Sequence, residues 1–308
     1  IYVRNSKNVT NLIAVYVDDL IIASSNKTEL IQIKADIASK FDIVDGGQLT
    51  HFLGMEIGRC GETGSVALCQ KQYILRLLKE YNMEDCRDAT TPLDAGFKVH
   101  CGNEMCKKDD KVQYQSIVGA LMYLAISTRP DIIHSVSKLS QRNTDPHIEH
   151  EAGVKHLLRY LKKTADFKLH YVKTGKDIEG FADADWGSDP TDRKSYTGYA
   201  FVAAGGVFSW ESKKQSVVAL SSTEAEYVSL SAAAKEAAYI TKLLKEMGFD
   251  KSGPMVINND NLSSQSLVRN PIYHARSKHI DIKFQHIRQM YINNEIDLNY
   301  ISTNNMMS

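Results

Sequence analysis

FADADWGSDPTDRKSYTGYAFVAAGGVFSWESKKQSVVALSSTEAEY occupies residues 181–227, and its periodicities decide the fold. Runs rich in β-branched and aromatic residues, GFADADW (180–186), SYTGYAFVAAGG (195–206) and VFSWES (207–212), read as three strands parted by turn-forming residues. The period then switches. From Ser222 to about Met247, Leu230, Ala233, Ala237, Ile240 and Leu244 recur on one face of a long helix. PMVINND (254–260) reads as a strand and is followed by a short helix. HIDIKFQHIRQMY (279–291) reads as a helix and EIDLNYIS (295–302) as a last strand. Strands, helix, strand, helices and strand predict a mixed sheet with helices packed on it, of α+β or α/β class.

Acids inside this pattern stand out, because strands are depleted in Asp. Asp183 and Asp185 lie in one predicted strand and share a face, so alternation cannot separate them. Asp260 falls at the end of the strand VINND. Glu226 lies on the apolar stripe of the long helix and should point toward the sheet. Glu224 shares a wetter face with Val228, Ser231, Lys235 and Lys242, and after Ser221-Ser222-Thr223 it is a natural capping-box partner. Carboxylates gathered in this way suit a hard dication such as Mg2+, which wants oxygen ligands. The structural alternatives are a strand-end turn for the aspartates and a second capping box, closed on Thr223, for Glu226.

Upstream, residues 1–25 read as a β-hairpin region, with NLIAVYVDDLIIAS (11–24) interrupted by Asp18-Asp19. Helices are predicted over 27–41, 71–83, 116–127 and 150–164; the third ends where Thr128-Arg129-Pro130 forbids continuation. GQLTHFLGMEI (47–57) reads as turn then strand, with Gly54 at a close approach. Residues 98–112 are polar and unpatterned and are expected to be exposed. A boundary near 172–178 divides the chain into segments 1–175 and 176–308.

The 308 residues carry 37 Lys plus Arg against 37 Asp plus Glu, so net charge offers no evidence for nucleic acid. Local clusters do: Lys155, Arg159, Lys162 and Lys163 on one helix, Arg193-Lys194 in a loop, and Lys213-Lys214 before the long helix. For any single pair, a solvated surface is the competing explanation. An apolar content of 43% and a charged content of 24% exclude wholesale disorder. Five cysteines without a C-x-x-C argue against a disulfide framework or zinc ribbon, and a site from His100, Cys101 and Cys106 is disfavoured. No apolar run is long enough for a membrane helix; the best, 12–23, is broken by Asp18-Asp19.

FADADWGSDPTDRKSYTGY, FSWESKKQSVVALSSTEAEY, NNDNLSSQSLVRNP and HARSKHIDIKFQHIR resemble the ribonuclease H domain of copia-type LTR retrotransposon Pol polyproteins. VYVDDLIIAS resembles the reverse transcriptase catalytic turn, LTHFLGMEI the following primer-grip region, and YQSIVGALMYLAISTRPDI with VKHLLRYLKKT the thumb and connecting region. The resemblance runs in order along essentially the whole chain. It implies an incomplete reverse transcriptase palm with thumb and connecting helices over 1–175, followed by a ribonuclease H-like mixed sheet with flanking helices over 176–308. It places the catalytic, metal-binding acids on Asp183, Glu226 and Asp260, which would bind two Mg2+ ions, Mn2+ being an alternative. Asp18 and Asp19 match the polymerase metal-binding turn.

The implied activity is hydrolysis of the RNA strand of RNA–DNA hybrids, coupled in the full protein to RNA-directed DNA polymerisation. The alternative is a degenerate, inactive transposon-derived fragment with residual nucleic-acid binding. Expected partners are an RNA–DNA hybrid or other nucleic acid and the remaining N-terminal Pol segments, with no membrane. The expected location is intracellular, in the cytoplasm or virus-like particles, or in the nucleus. The family carries a fourth aspartate on a closing helix after the last strand, where this sequence reads ISTNNMMS, and a third polymerase aspartate upstream of residue 1. The chain is therefore expected to lack its last helix, to cleave weakly and not to polymerise. A metal cluster of His274, His279, His286 and Asp281 is disfavoured against an ordinary helix surface.

Overall fold

The computed structural model describes residues 1–6, 9–97, 99, 108–249, 253–270 and 278–306. The chain opens with an antiparallel sheet of β1 (Tyr2–Ser6), β2 (Val9–Tyr16) and β3 (Asp19–Ser24), in that order. α1 (Lys27–Ala38) follows, capped by Asn26, whose side chain accepts from the backbone N–H of Thr28 and Glu29. A second sheet joins β4 (His51–Phe52), β5 (Met55–Arg59) and β6 (Val66–Cys69) to β7 (Leu169–Tyr171) from about a hundred residues later. The turn between β4 and β5 contains Gly54 at φ +70°, where a Cβ would meet the Tyr123 hydroxyl at 3.0 Å. The close approach expected at that glycine is present.

Between β6 and β7 lie α2 (Lys71–Glu80), α3 (Lys108–Ser127), α4 (Ile133–Ser140) and α5 (Ile148–Lys163). Their apolar stripes, including Ile74, Leu78, Leu121, Leu124, Val136, Leu139, Leu157 and Leu161, form one core. One expectation is corrected, and one helix, α4, is not expected at all. α3 begins at Lys108, inside the stretch read as an exposed loop, and Val99 is buried. The extra turns of α3 carry mostly polar residues, so no apolar period announces them. α4 is only eight residues long, too short for its two buried aliphatics to establish a pattern.

α3 stops before Pro130, and Arg129 turns inward to only 2% exposure. Its guanidinium donates to both oxygens of Asp131 at 2.9 and 2.7 Å and to the Thr164 carbonyl and hydroxyl at 3.1 and 2.6 Å. The Tyr160 hydroxyl donates to the same carboxylate at 2.9 Å. A buried charge is tolerable only when paired and fully bonded, and this one ties α3 to the end of α5.

Residues 172–178 carry neither helix nor strand. Beyond them is a five-stranded mixed sheet of order β10-β9-β8-β11-β12: β8 (Glu179–Ala184), β9 (Tyr196–Ala203), β10 (Gly206–Lys214), β11 (Met255–Asn259) and β12 (Ile296–Tyr300). The first three strands pair antiparallel, while β8–β11 and β11–β12 pair parallel. This is the mixed sheet with flanking helices expected from the sequence. α6 (Ser222–Glu246) lies across β8 and β9, and α7 (Leu262–Arg269) and α8 (Lys278–Ile292) pack beside it. Phe201, Tyr227, Leu230, Ala233, Ile257 and Leu298 fill the core between helices and sheet. β8 and β9 fit closely at Gly180, where a Cβ would lie 2.7 Å from the Phe201 ring.

The helical core docks on the outer strand β10. Trp210 Nε1 donates to the Ala125 carbonyl at 2.8 Å, Lys214 to Gln141 Oε1 at 3.1 Å, and Gln141 Nε2 to the Tyr196 hydroxyl. On the opposite outer strand, β12, the Leu298 N–H donates to Asp297 Oδ1, while Arg269 and Gln265 of α7 donate to the Leu298 and Asn299 carbonyls. Among the described residues, no helix is long and apolar enough to cross a membrane.

Candidate active site

The parallel pairing of β8 with β11 sets Gly180 opposite Ile257 and Phe181 opposite Asn258. Carried two residues further, that register brings Asp183 level with Asp260, just past the end of β11. Side chains two apart on a strand share a face, so both carboxylates emerge on the same side of neighbouring strands. Glu226 arrives from the start of α6, across the gap between those strands. Each of the three offers an oxygen within 4.8 Å of the other two. Asp183 is exposed, Asp260 half-buried and Glu226 buried.

The surroundings fix these groups individually. Asn259, fully buried between the aspartates' strands, donates from Nδ2 to Glu226 Oε2 and to the Ala182 carbonyl, both at 3.0 Å. Its Oδ1 accepts from the Asn261 N–H and the Ser264 hydroxyl at 3.0 and 3.1 Å, so its orientation is determined. The Thr303 hydroxyl donates to Asp260 Oδ2 at 2.5 Å. The Ser229 hydroxyl lies 2.7 Å from the Asp183 carbonyl and 3.0 Å from that of Gly198, holding α6 on β8 and β9.

Crowding three acids is electrostatically expensive. Burial first, then the Asp183 charge, push the Glu226 carboxyl up to about 8. Asp183 is raised as well, by partial desolvation of its carboxylate and then by Asp260. Like charges at this separation oppose ionisation unless a cation neutralises them. Three hard oxygen donors converging at this range fit a divalent ion, and Asp183, Glu226 and Asp260 are the residues that could hold one.

Other acids have different work. Glu224 accepts from the Leu220 N–H at 2.7 Å while the Ser221 hydroxyl caps the Glu224 N–H at 3.2 Å, so Glu224 closes the helix start. Asp185, beyond the end of β8, accepts from the Tyr196 N–H and the Ser188 hydroxyl at 2.8 and 2.6 Å. That bonding separates it from Asp183, which alternation could not do. Asp18 lies in the turn after β2 and Asp19 opens β3, both exposed. Val17 in that turn has φ +52°, a strained state for a β-branched residue. Among the described residues, no third metal-ligating side chain joins Asp18 and Asp19.

The basic clusters divide in the same way. Arg159 and Lys162 donate to the carbonyls of Arg87 and Cys86 at 2.6 and 2.7 Å and serve the fold rather than a ligand. Lys214 is paired with Asp189 and Asp192, whereas Lys213 beside it is exposed. His100, Cys101, Cys106 and His274, with the side chains of His279 and Asp281, lie outside the described residues; His286 is half-buried on α8. Sequence reasoning missed Asn259 and Thr303. The signal for the first was available, since Asn is as unusual in a strand as Asp and VINND carries two. Thr303 sits beyond the last strand, and nothing in its local sequence points to Asp260.

The family profile described as reverse transcriptase (RNA-dependent DNA polymerase) matches residues 1–95. A retrovirus-related Pol polyprotein from transposon TNT 1-94 of Nicotiana tabacum is 38% identical over 98% of this chain, which spans 23% of that polyprotein. A putative transposon Ty5-1 protein of Saccharomyces cerevisiae is 32% identical, over 75% of each chain. Among solved structures, a foamy viral protease-reverse transcriptase in complex with RNA/DNA hybrid aligns with 94% of this chain and 36% of its own, at 14% identity and TM-score 0.47.

Proposed function

Since the chain belongs to the copia-type retrotransposon Pol polyproteins, we propose that residues 176–308 form its ribonuclease H unit, hydrolysing the RNA strand of RNA–DNA hybrids with Mg2+. The observation that carries this reading is the convergence of Asp183, Glu226 and Asp260 within 4.8 Å, maintained against mutual repulsion and Glu226 burial. A fold that tolerates such a penalty without a ligand to relieve it would gain nothing from it.

Asp183 and Asp260, level on neighbouring strands, and Glu226 from α6 are the proposed ligands. A bound pair of Mg2+ ions supplies an activated water and charge stabilisation of both attacking and leaving oxygens. Asn259 fixes which way Glu226 presents its second oxygen, and Thr303 does the same for Asp260. Asp18 and Asp19 are the proposed metal-binding pair of the polymerase palm in residues 1–175, and polymerisation is assigned to the larger Pol protein rather than to this chain by itself. The hybrid and the other Pol segments are the proposed partners, met inside the cell, in the cytoplasm or virus-like particles.

The test is cleavage of a labelled RNA–DNA hybrid by the full chain. Mg2+-dependent cleavage should fall at least ~100-fold in Asp183→Asn, Glu226→Gln and Asp260→Asn. Cleavage that survives Asp260→Asn means the site is elsewhere. Retained hybrid binding with no cleavage by the unsubstituted chain would favour an inactive nucleic-acid-binding protein.

A further inference from the structure

α7 begins just past the end of β11, and its first turn folds back onto that end. Asn261 caps the helix, its side chain accepting from the Ser264 N–H at 2.8 Å, which sets Ser264 and Gln265 against Asn259. Both are buried, at 0% and 1% exposure. The Ser264 hydroxyl is shared between Asn259 Oδ1 at 3.1 Å and the Asn261 carbonyl at 2.8 Å. Gln265 divides its bonds differently. Its Nε2 carries two protons and donates one to the Asn259 carbonyl and one to the Asn299 carbonyl, each at 3.1 Å.

Those carbonyls belong to neighbouring strands. β11 and β12 run parallel, with Asn258 opposite Asn299 and Asn259 opposite Tyr300, so Gln265 bridges the pair at its last rungs. The Ile301 N–H donates to the same Asn259 carbonyl at 3.2 Å. The bridge has a cost: Gln265 Oε1 is buried and meets no hydrogen-bond donor among the described residues. Turning the amide over would set an oxygen against two carbonyls, so its orientation is fixed. An aliphatic side chain of similar size would fill the space without that penalty, so packing alone does not account for an amide here. Each strand leads from the bridge into the acidic site. Asp260 follows Asn259 directly. Beyond Asn299, residues 300–302 lead to Thr303, whose hydroxyl donates to Asp260 Oδ2 at 2.5 Å. The carboxylate and the hydroxyl that orients it therefore ride on different strands, and Gln265 sets the spacing between them.

We propose that Gln265 is a positioning residue: its amide clamps the exits of β11 and β12 and thereby aims Asp260 at the cation site. The role in metal binding rests on the nuclease reading; the clamp itself does not. The test variant is Gln265→Met in the full chain, which keeps length and volume and removes both donors, with a melting curve to confirm that it is folded. Hydrogen exchange reads the clamp without metal. Amides of 259–261 and 300–303 should exchange about 10-fold faster while the β8–β9 ladder is unchanged. Metal binding is read with Mn2+ alone, from the free-ion electron paramagnetic resonance signal, counting the binding that Asp260→Asn removes. Gln265→Met and Thr303→Val should each weaken it about 10-fold, as when a ligand loses its orienting support. Both act on Asp260, so the double variant should fall well short of the roughly 100-fold loss that independent effects would give. Unchanged exchange in Gln265→Met overturns the clamp. Faster exchange with unchanged Mn2+ affinity, or losses that multiply in full, shows a structural glutamine and overturns the positioning role. If the unsubstituted chain binds no Mn2+ through Asp260 while the exchange effect is present, the nuclease reading fails and the clamp stands.

Discussion

Replacing Glu226 with Gln should make the metal-free protein more stable, and only at high pH. In the folded chain burial and Asp183 raise the Glu226 carboxyl from 4.5 to about 8. Each pKa unit corresponds to about 1.4 kcal/mol, so holding Glu226 ionised at alkaline pH costs about 5 kcal/mol. The sign follows from proton binding: the folded state binds the proton more tightly than the unfolded one. The penalty is absent below the unfolded value, grows between 4.5 and about 8, and is complete above that. The Asn259 bond lowers the pKa and is already contained in that figure, and Gln retains an oxygen for Asn259 Nδ2. The gain is about 5 kcal/mol, or about 8 °C in Tm for a chain of this size. Thermal melts in EDTA should show that gain near pH 8.5 and little of it near pH 5. Mg2+ should then stabilise the unsubstituted protein more than the variant. A Glu226→Gln Tm at or below the unsubstituted value near pH 8.5, or the same gain at both pH values, refutes the electrostatic account.

Glu224→Gln should leave hybrid cleavage within about threefold while Glu226→Gln abolishes it, because only Glu226 reaches the cluster; equal losses would undo the assignment of helix faces. Asn259→Ala should lower cleavage about 10–100-fold and raise the Mg2+ concentration needed for half-maximal rate, as expected when a ligand loses its orienting bond. Arg129→Ala should destabilise the helical core by about 3–5 kcal/mol in denaturant titration, since Asp131 and the Thr164 carbonyl lose their partner. A Cβ at Gly206 would meet the His170 carbonyl oxygen at 2.4 Å. Gly206→Ala should therefore cost about 1–3 kcal/mol in the same assay, and a neutral effect would show that β7 and β10 have room to separate.

The second half of the chain was largely legible because its signals are local. The strand runs and the α6 stripe fixed the elements, and the same stripe turned Glu226 toward the sheet and Glu224 away. What stayed hidden depends on contacts far apart in sequence. Alternation left Asp183 and Asp185 equivalent; the resemblance chose Asp183, and the bonds from Tyr196 and Ser188 to Asp185 supply the physical difference. The basic face of α5 read as a ligand track, yet two of its cations are bound to carbonyls more than seventy residues upstream. Arg129 looked like a helix stop and proved to be a buried anchor. The first turns of α3 and the whole of α4 had too few apolar positions to show a period.

The two margins of the five-stranded sheet have different guards. One is occupied by the packed helices of the preceding segment. The other, β12, has no further neighbouring strand among the described residues, but Asp297 and Arg269 already occupy the outward-facing Leu298 N–H and carbonyl that an incoming strand would need. An open margin with free amides and carbonyls is the usual starting point for runaway self-assembly through added strands. At β12 such growth would first have to break the bonds already made at Leu298.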